Sequence, residues 1–537
     1  MNTIIINTAI GLWPMLEYEL DIVKLELDKG NKVIFIYCAG EKKKCGANNP
    51  SDGQLFKKRY CLECNSRVQK GLKWLNTKNG ILEIVKDVQL LEKQRDSINH
   101  VMQCIDGVKN NEKQLMRLVN IDGVDIFQAA KSLLQTNKLE SNIDIREYWD
   151  DFKEGVSSGL IGYYSSFNHL TRWTPSHLFI YNGRIPRYRP MMRLAEKSSI
   201  AFTIYEYPLI SHKNYTLTRG GYPHNAIIFS RLLFESYGKS ILSDNIKQKD
   251  GGDWYKKRFI RDDSSYDSQF STPMGDAIVD SKLPSNYNND LYNLVIFISS
   301  EDEIVDEVSE KRPFDQLDAI KFIAESFKNI NIWIRMHPRL VNIDKKFVNL
   351  VNDTCGLYEN ITVISASSDV DSYQLIKSSD MIVGFGSTTI IESAYMRKTS
   401  INIGPSHFEA FNAVKHMYTS DQIYDFLAKN IKGDYSSNYS AENAFYGACA
   451  YAWSVINFGV KPKYLEKNTY LGGYMVRDGI KTQISANIYI KIYNRLLDFP
   501  GKILSSFSII INDSRKWKQF KKAPLESVKR KFFGELP

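Results

Sequence analysis

The sequence predicts an α/β protein made of two doubly wound lobes that face a central cleft, followed by a basic, helical C-terminal tail. Three observations carry this expectation. A strand–helix–strand alternation opens the chain at residues 3–37, a second alternating series starts at residue 293, and 537 residues suffice for two to four domains rather than one. With 43% hydrophobic, 24% charged and 12% aromatic residues, the chain can bury an ordinary core and is not a disordered one.

The first strand is TIIINTAI (3–10), a short β-branched apolar run. Leu16, Leu20, Val23, Leu25 and Leu27 then recur at roughly helical spacing up to a cap near Gly30, and KVIFIY (32–37) is the second strand. The same lobe continues through SHLFIYNGR (176–184), which breaks at Asn182-Gly183, a helix over 189–199 and the strand IAFTIYEY (200–207). Residues 241–290 turn polar and read as a linker with local structure or loops beside the cleft. The second lobe follows as strands at 293–300, 330–338, 361–365, 381–387 and 400–404, with helices at 314–329, 371–380 and 390–398. Strands this uniformly apolar belong to a parallel sheet covered on both faces. The expected division is a first lobe at 1–240, the polar linker at 241–290, a second lobe at 291–430, a helical closing segment at 431–499 and the basic tail at 500–537.

Charge placement narrows the function classes. Residues 515–537 hold eight Lys or Arg and two Glu, so they carry +6 of the net +9, and the body is nearly neutral. Nucleic-acid binders interleave basic and aromatic residues across a fold, and an asymmetry confined to one tail points to an anionic surface instead. No apolar run approaches the roughly 18 residues needed to cross a bilayer. The opening lacks the basic region and cleavage site of a leader, so a cytoplasmic protein is expected.

The sharpest motif is GFGSTTIIESA (384–394). A strand ends at Val383, Gly384 and Gly386 permit a tight turn, and Ser387, Thr388 and Thr389 open a helix that runs through Glu392. Backbone N–H groups and hydroxyls at such a helix start suit a phosphate, and Glu392 can accept bonds from ribose hydroxyls. The alternative is that Ser and Thr only cap the helix. A second motif, IRMHPR (334–339), stops a strand at Pro338 and presents Arg335 or Arg339 and His337 at the carboxyl edge, where parallel sheets bind ligands. Two such loops about 50 residues apart favour a nucleotide site.

These residues, with ISSEDE (298–303), FDQLDAIK (314–321) and YNGR in the first lobe, resemble the bacterial capsule and O-antigen biosynthesis glycosyltransferases of the GT-B type, over about residues 1–430. The resemblance implies two Rossmann-like lobes, the second holding a nucleotide-sugar donor and the first a lipid-linked or polymeric glycan acceptor. His337, Ser387 and Thr388 match the His-Pro and Ser/Thr elements that hold the donor in related transferases using CMP-activated acidic sugars. Asn182 and Arg184 of YNGR join the expected substrate contacts, together with Arg335, Gly386 and Glu392. The transfer needs positive charge and hydrogen-bond donors where the nucleotide departs, and an inverting enzyme needs a base on the acceptor side. Candidates for the base are Glu19, Glu206 and His224. A polymer phosphotransferase using CDP-glycerol or CDP-ribitol and a non-catalytic assembly scaffold are the alternatives. No organic cofactor and no nucleic-acid partner are expected.

Four of the seven cysteines, Cys38, Cys45, Cys61 and Cys64, fall in a C-x6-C-x15-C-x2-C pattern, and four thiolates suit a structural tetrahedral zinc. Free thiols and an iron–sulfur cluster are the alternatives. The tail mixes Trp517, Phe520, Phe532 and Phe533 with Lys and Arg, which suits the anionic inner face of the cell membrane; a solvated tail is the alternative.

Overall fold

The computed structural model describes residues 1–7, 11, 13–38, 54–75, 79–138, 143–206, 215–219, 225–259, 283–288, 290–299, 314–341, 345–433, 440–469 and 472–485. His224, Cys45 and the tail lie outside the described residues, as do 300–303 of the ISSEDE segment.

The N-terminal half runs β1 (Thr3–Asn7), α1 (Met15–Asp28), β2 (Lys32–Tyr37), α2 (Gln54–Trp74), β3 (Ile81–Lys86), α3 (Glu92–Cys104), α4 (Glu112–Val119), α5 (Ile126–Lys138), α6 (Trp149–Trp173), β4 (His177–Tyr181), α7 (Arg189–Lys197), β5 (Ala201–Glu206) and β6 (Thr216–Arg219). Its sheet has the order β3-β2-β1-β4-β5-β6, parallel except for β6. Successive side chains of a strand point to opposite faces. Accordingly Ile5, Ile34, Leu178 and Ile180 join a core with residues of α5 and α6, whereas Ile4, Ile6, Val33 and Phe35 join one with α1 and α2. Each such side chain contributes roughly 1.5–3 kcal/mol by leaving water. Both faces are therefore covered, which is why these strands read as unbroken apolar runs.

Two helices come next, α8 (Ala226–Lys239) and α9 (Asp244–Phe259). The polar stretch expected as a linker thus contains a 16-residue helix. Its Trp254 and Tyr255 bury themselves in the second half beside Tyr395, whose ring lies 4.3 Å from that of Tyr255. The sequence hides this because only these few residues of α9 face the core while Lys and Asp cover the rest.

The C-terminal half is β7 (Asn293–Phe297), α10 (Gln316–Ser326), β8 (Asn331–Arg335), α11 (Lys345–Cys355), β9 (Ile361–Ile364), α12 (Ser372–Ser378), β10 (Met381–Gly384), α13 (Thr388–Tyr395), β11 (Thr399–Ile403), β12 (Lys415–Met417) and α14 (Ser420–Ile431). Its parallel sheet has the order β12-β11-β10-β7-β8-β9. Leu294, Ile296, Ile332 and Ile334 pack on one side, and Val295, Phe297 and Trp333 on the other, where α8, α9 and α13 lie. The two-lobed α/β architecture expected from the sequence is present.

The closing segment corrects one expectation. Residues 431–499 were expected to be helical, and α15 (Ala441–Asn457) is. It is followed by a three-stranded antiparallel sheet of β13 (Leu465–Thr469), β14 (Gly472–Arg477) and β15 (Ile480–Gln483). The turn between β14 and β15 is Asp478-Gly479, both at positive φ (51° and 79°), a pairing that favours two-residue hairpins. Leu465, Met475 and Ile484 return to the core of the N-terminal half. Among the described residues no helix is long and apolar enough to cross a membrane.

Candidate functional site

In each half the strand order reverses once, between β1 and β4 in the first and between β7 and β10 in the second. Loops leaving the carboxyl ends of the strands diverge at such a reversal and open a crevice. Of the residues singled out by sequence, Asn182, Arg184, Glu206, Arg335, His337, Gly386, Ser387 and Thr388 end or follow strands at these edges.

In the second half the crevice is bounded by Ile298 and Ser299 after β7 and by Phe385 and Gly386 after β10. Gly386 has φ of 94°, a conformation that side chains disfavour, and its N–H donates to Asn402 Oδ1 at 2.6 Å. Asn402, fully buried in β11, also donates from Nδ2 to the Gly404 carbonyl at 2.8 Å, so one amide fixes two neighbouring loops. Ser387 caps α13: its Oγ accepts from the Thr389 N–H at 3.3 Å and lies 3.2 Å from Thr389 Oγ1. Gly386 and Thr388 are exposed and Ser387 half-buried, which leaves the helix start open to a ligand. Across the crevice the Gln316 side chain clamps Ser299, accepting from its N–H at 2.8 Å and donating to its carbonyl at 3.1 Å.

Arg335, the last residue of β8, is only 6% exposed. Its Nη1 and Nη2 donate to the carbonyls of Ser365 and Ser368 at 2.5 and 3.4 Å, bracing the loop after β9. Among the described residues it makes no ion pair, and its Nε has no hydrogen-bond partner. Burial lowers its pKa and the more distant Asp371 opposes this, but a guanidinium keeps its proton. A buried charge without a counter-charge is costly. His337 is half-buried in the turn that follows, its carbonyl accepting from the Leu340 N–H at 3.0 Å, and the Arg339 side chain lies outside the described residues.

Glu392 departs from expectation. It is 3% exposed, and Arg258 of α9 holds its Oε1 through Nη2 at 2.6 Å and Nε at 2.8 Å. A carboxylate already bound by a guanidinium inside the protein is not presented to a ribose hydroxyl, so its position is explained by docking α9 on α13.

At the reversal in the first half, Asn182 and Gly183 turn the chain at φ of 59° and 77°. Asn182 donates from Nδ2 to Glu206 Oε2 at 2.6 Å and accepts the Arg184 N–H on Oδ1 at 3.1 Å, while Arg184 Nη2 reaches Thr136 Oγ1 at 2.5 Å. The structure thus brings Glu206, chosen from sequence as a candidate base, beside Asn182 and Arg184 of the YNGR motif. Glu206 is half-buried at the carboxyl end of β5. Burial and the Glu206 charge push the pKa of Tyr181 well above the usual tyrosine range. Glu19, by contrast, has no exposed surface and accepts the Tyr205 hydroxyl at 2.7 Å on Oε1. That corrects its candidacy as base, because an acceptor hydroxyl cannot reach a carboxylate sealed beneath the sheet edge.

Cys61 and Cys64 lie one turn apart on α2, both half-buried, and Cys38 directly follows β2. Cys64 Sγ accepts the Gly11 N–H at 3.0 Å. The i, i+3 spacing places two thiols on one helix face, a partial fit to a four-thiolate site. Among the described residues no group of three or more metal-ligating side chains is gathered, and Cys45 is outside them.

Sequence reasoning missed Asn402, Gln316 and the Asp-x-Asp pair Asp369 and Asp371. The signal for Asn402 was an amide inside an otherwise apolar strand, SINIG. Asp371 caps α12, its Oδ1 accepting from the N–H groups of Tyr373 and Gln374 at 2.8 and 2.9 Å.

No family model matches the chain, and no curated protein matches it. Among solved structures it is similar to the KpsC beta Kdo 2,4 transferase of Thermosulfurimonas dismutans, at 13% identity over 60% of this chain and 87% of that one, with a TM-score of 0.33. It is also similar to the UDP-GlcNAc 2-epimerase of Neisseria meningitidis bound to UDP-GlcNAc, at 12% identity over 83% and 96% with a TM-score of 0.23, and to MurG of Acinetobacter baumannii, at 10% identity over 84% and 95% with a TM-score of 0.24. Likenesses at these identities and TM-scores assign the chain no family, donor, acceptor or reaction.

Proposed function

We propose that the protein is a glycosyltransferase that moves a sugar from a nucleotide-activated donor, held at the crevice of the second half, to a capsular, O-antigen or other surface-glycan acceptor at the crevice of the first. The observation that carries this reading is the buried Arg335 guanidinium, which makes no ion pair among the described residues and stands on the sheet edge that also bears the Ser387-capped start of α13. A phosphate supplies the missing negative charge. Departure of the nucleotide builds negative charge on its phosphate oxygen as the bond to the anomeric carbon breaks, and the fixed field of Arg335 and the α13 N-terminus stabilises that charge. His337, Thr388 and the Ser387 hydroxyl complete the donor contacts. Glu206, oriented by Asn182, takes the proton from the acceptor hydroxyl as its oxygen attacks the anomeric carbon.

A thermal-shift panel of UDP-, CMP-, GDP- and CDP-linked compounds, followed by mass analysis of product formed on glycan acceptors, tests the reading. Stabilisation by a sugar nucleotide and a glycosylated product are expected. Transfer of a glycerol or ribitol phosphate would instead identify a polymer phosphotransferase, and binding without turnover a scaffold. We also propose that Cys38, Cys45, Cys61 and Cys64 hold one structural zinc, which would pin the loop after β2 to α2. Elemental analysis should then find about one zinc per chain, and a metal-free preparation with unchanged melting removes the site.

A further inference from the structure

Strand β11 carries two polar side chains in an otherwise apolar run. Ile401 and Ile403 fill the core on one face of the sheet, while Ser400 and Asn402 alternate with them on the other, where α13 lies. Neither polar residue has exposed surface. A buried amide or hydroxyl is unfavourable unless it is hydrogen-bonded, so each is explained by what it holds. Ser400 Oγ lies 2.6 Å from Ser393 Oγ, in the second turn of α13. Asn402, nearer the carboxyl edge, accepts the Gly386 N–H on Oδ1 at 2.6 Å, just before the helix begins, and donates to the Gly404 carbonyl at 2.8 Å. Two side chains of one strand thus fix α13 at its start and at its second turn. The helix is seated from β10 as well: a Cβ on Gly384 would come within 2.3 Å of Ile390 Cδ1, so the first turn rests directly on that strand.

This seating decides where the N–H groups at the α13 start point. The Gly386 N–H is itself committed to Asn402, and the bond holds the turn at φ of 94° from which Ser387 and Thr388 follow. On the opposite lip of the crevice Gln316, 2% exposed, holds both backbone groups of Ser299. Each lip is therefore pinned by a buried, uncharged amide. The surroundings of Asn402 are uncharged too. His416, which pairs with it from β12, is kept neutral by burial, its pKa down to about 4, and Glu392 of α13 is neutralised by Arg258.

We propose that Asn402 is the positioning residue of the donor site, an amide that aims the first N–H groups of α13 at a phosphate without placing a charge beneath it. The inference rests on the nucleotide reading given above and deepens it by naming what holds the phosphate loop in place.

Calorimetric titration of the full chain with UDP and with CMP, at about pH 8 and about pH 5.5, compares the native protein with Asn402→Asp and Asn402→Leu. The ratio of variant to native affinity cancels the titration of the nucleotide's own phosphate. Burial raises the pKa of a carboxyl group. When protonated, the carboxyl of the Asn402→Asp protein makes both bonds, accepting the Gly386 N–H on one oxygen and donating its hydroxyl to the Gly404 carbonyl. When ionised, it repels that carbonyl and the phosphate. The ratio should therefore stay close to unity at the lower pH and fall about tenfold or more at the higher. Asn402→Leu makes neither bond and should bind about tenfold more weakly at both pH values. Native affinity in a folded Asn402→Leu protein, even with a lowered melting temperature, would overturn the positioning role and leave Asn402 as a brace within the sheet. If that variant does not fold, Asn402→Asp decides, and a ratio of unity at both pH values overturns the role. A native protein that binds neither nucleotide refutes the donor site itself, a result distinct from equal binding by native and variant proteins.

Discussion

Arg335 shows how a single side chain divides its work. Its two Nη groups are committed to the Ser365 and Ser368 carbonyls, so in the proposed site it would act on an anion by charge and by shaping the loop rather than by offering a free fork. Lysine carries the same charge but cannot span two carbonyls with one planar group. Arg335→Lys is therefore expected to weaken nucleotide binding about tenfold or more, the equivalent of one charge-assisted hydrogen bond of roughly 1.5–3 kcal/mol. Calorimetric titration with the nucleotide found in the panel reads this directly, and unchanged affinity would remove Arg335 from the site. Glu392 makes the complementary point. Its sequence neighbours suggest a ligand contact, yet its partner Arg258 lies 134 positions away, and no spacing rule within one sequence reveals such a pair.

At the scale of the element, α13 combines two roles that one substitution can separate. Ser387 caps the helix and also lines the expected phosphate position. Ser387→Ala should lower stability by about 1 kcal/mol and weaken donor binding. Ser387→Asp should keep the cap, since aspartate is among the best capping residues, but place a negative charge against the phosphate. Thermal melting close to native together with lost nucleotide affinity is the expected result; retained affinity would show that the helix start does not receive the phosphate. Elements of this kind were legible in the sequence because β7, β8, β10 and β11 are apolar runs that end in turn residues. The 25-residue α6 was not, since its small residues Gly155, Gly159 and Gly162 break up the apolar pattern while being buried in close packing with neighbouring elements. The hairpin of β14 and β15 was also missed, although Asp478-Gly479 signals it; a helical reading of the closing segment passed over a turn that only two extended strands accommodate. At the candidate site, the loop positions could be read from Gly, Pro and Ser punctuation, whereas the pairing of Asn182 with Glu206 required the fold.

At the scale of the whole molecule, we propose that the basic tail holds the protein reversibly at an anionic membrane surface. Each basic residue near such a surface contributes about 1 kcal/mol, and Trp517, Phe520, Phe532 and Phe533 add apolar contact. Deleting residues 500–537 should abolish co-sedimentation with phosphatidylglycerol-containing liposomes at low salt and spare turnover on a soluble acceptor; equal sedimentation of the two proteins would refute the role. The return of β13–β15 to the first half has a further consequence, for the order in which the protein is completed during synthesis. The sheet that these strands cover is finished at β6, yet β13 emerges about 250 residues later, on the order of 10 to 50 s at a ribosomal rate of roughly 5–20 residues per second. Through that interval the seat of Met475 and Ile484, together with the Glu17–Arg67 ion pair beside it, stands open on the nascent chain. The first half is born without its cover, and strands made some 250 residues later are the ones that close it.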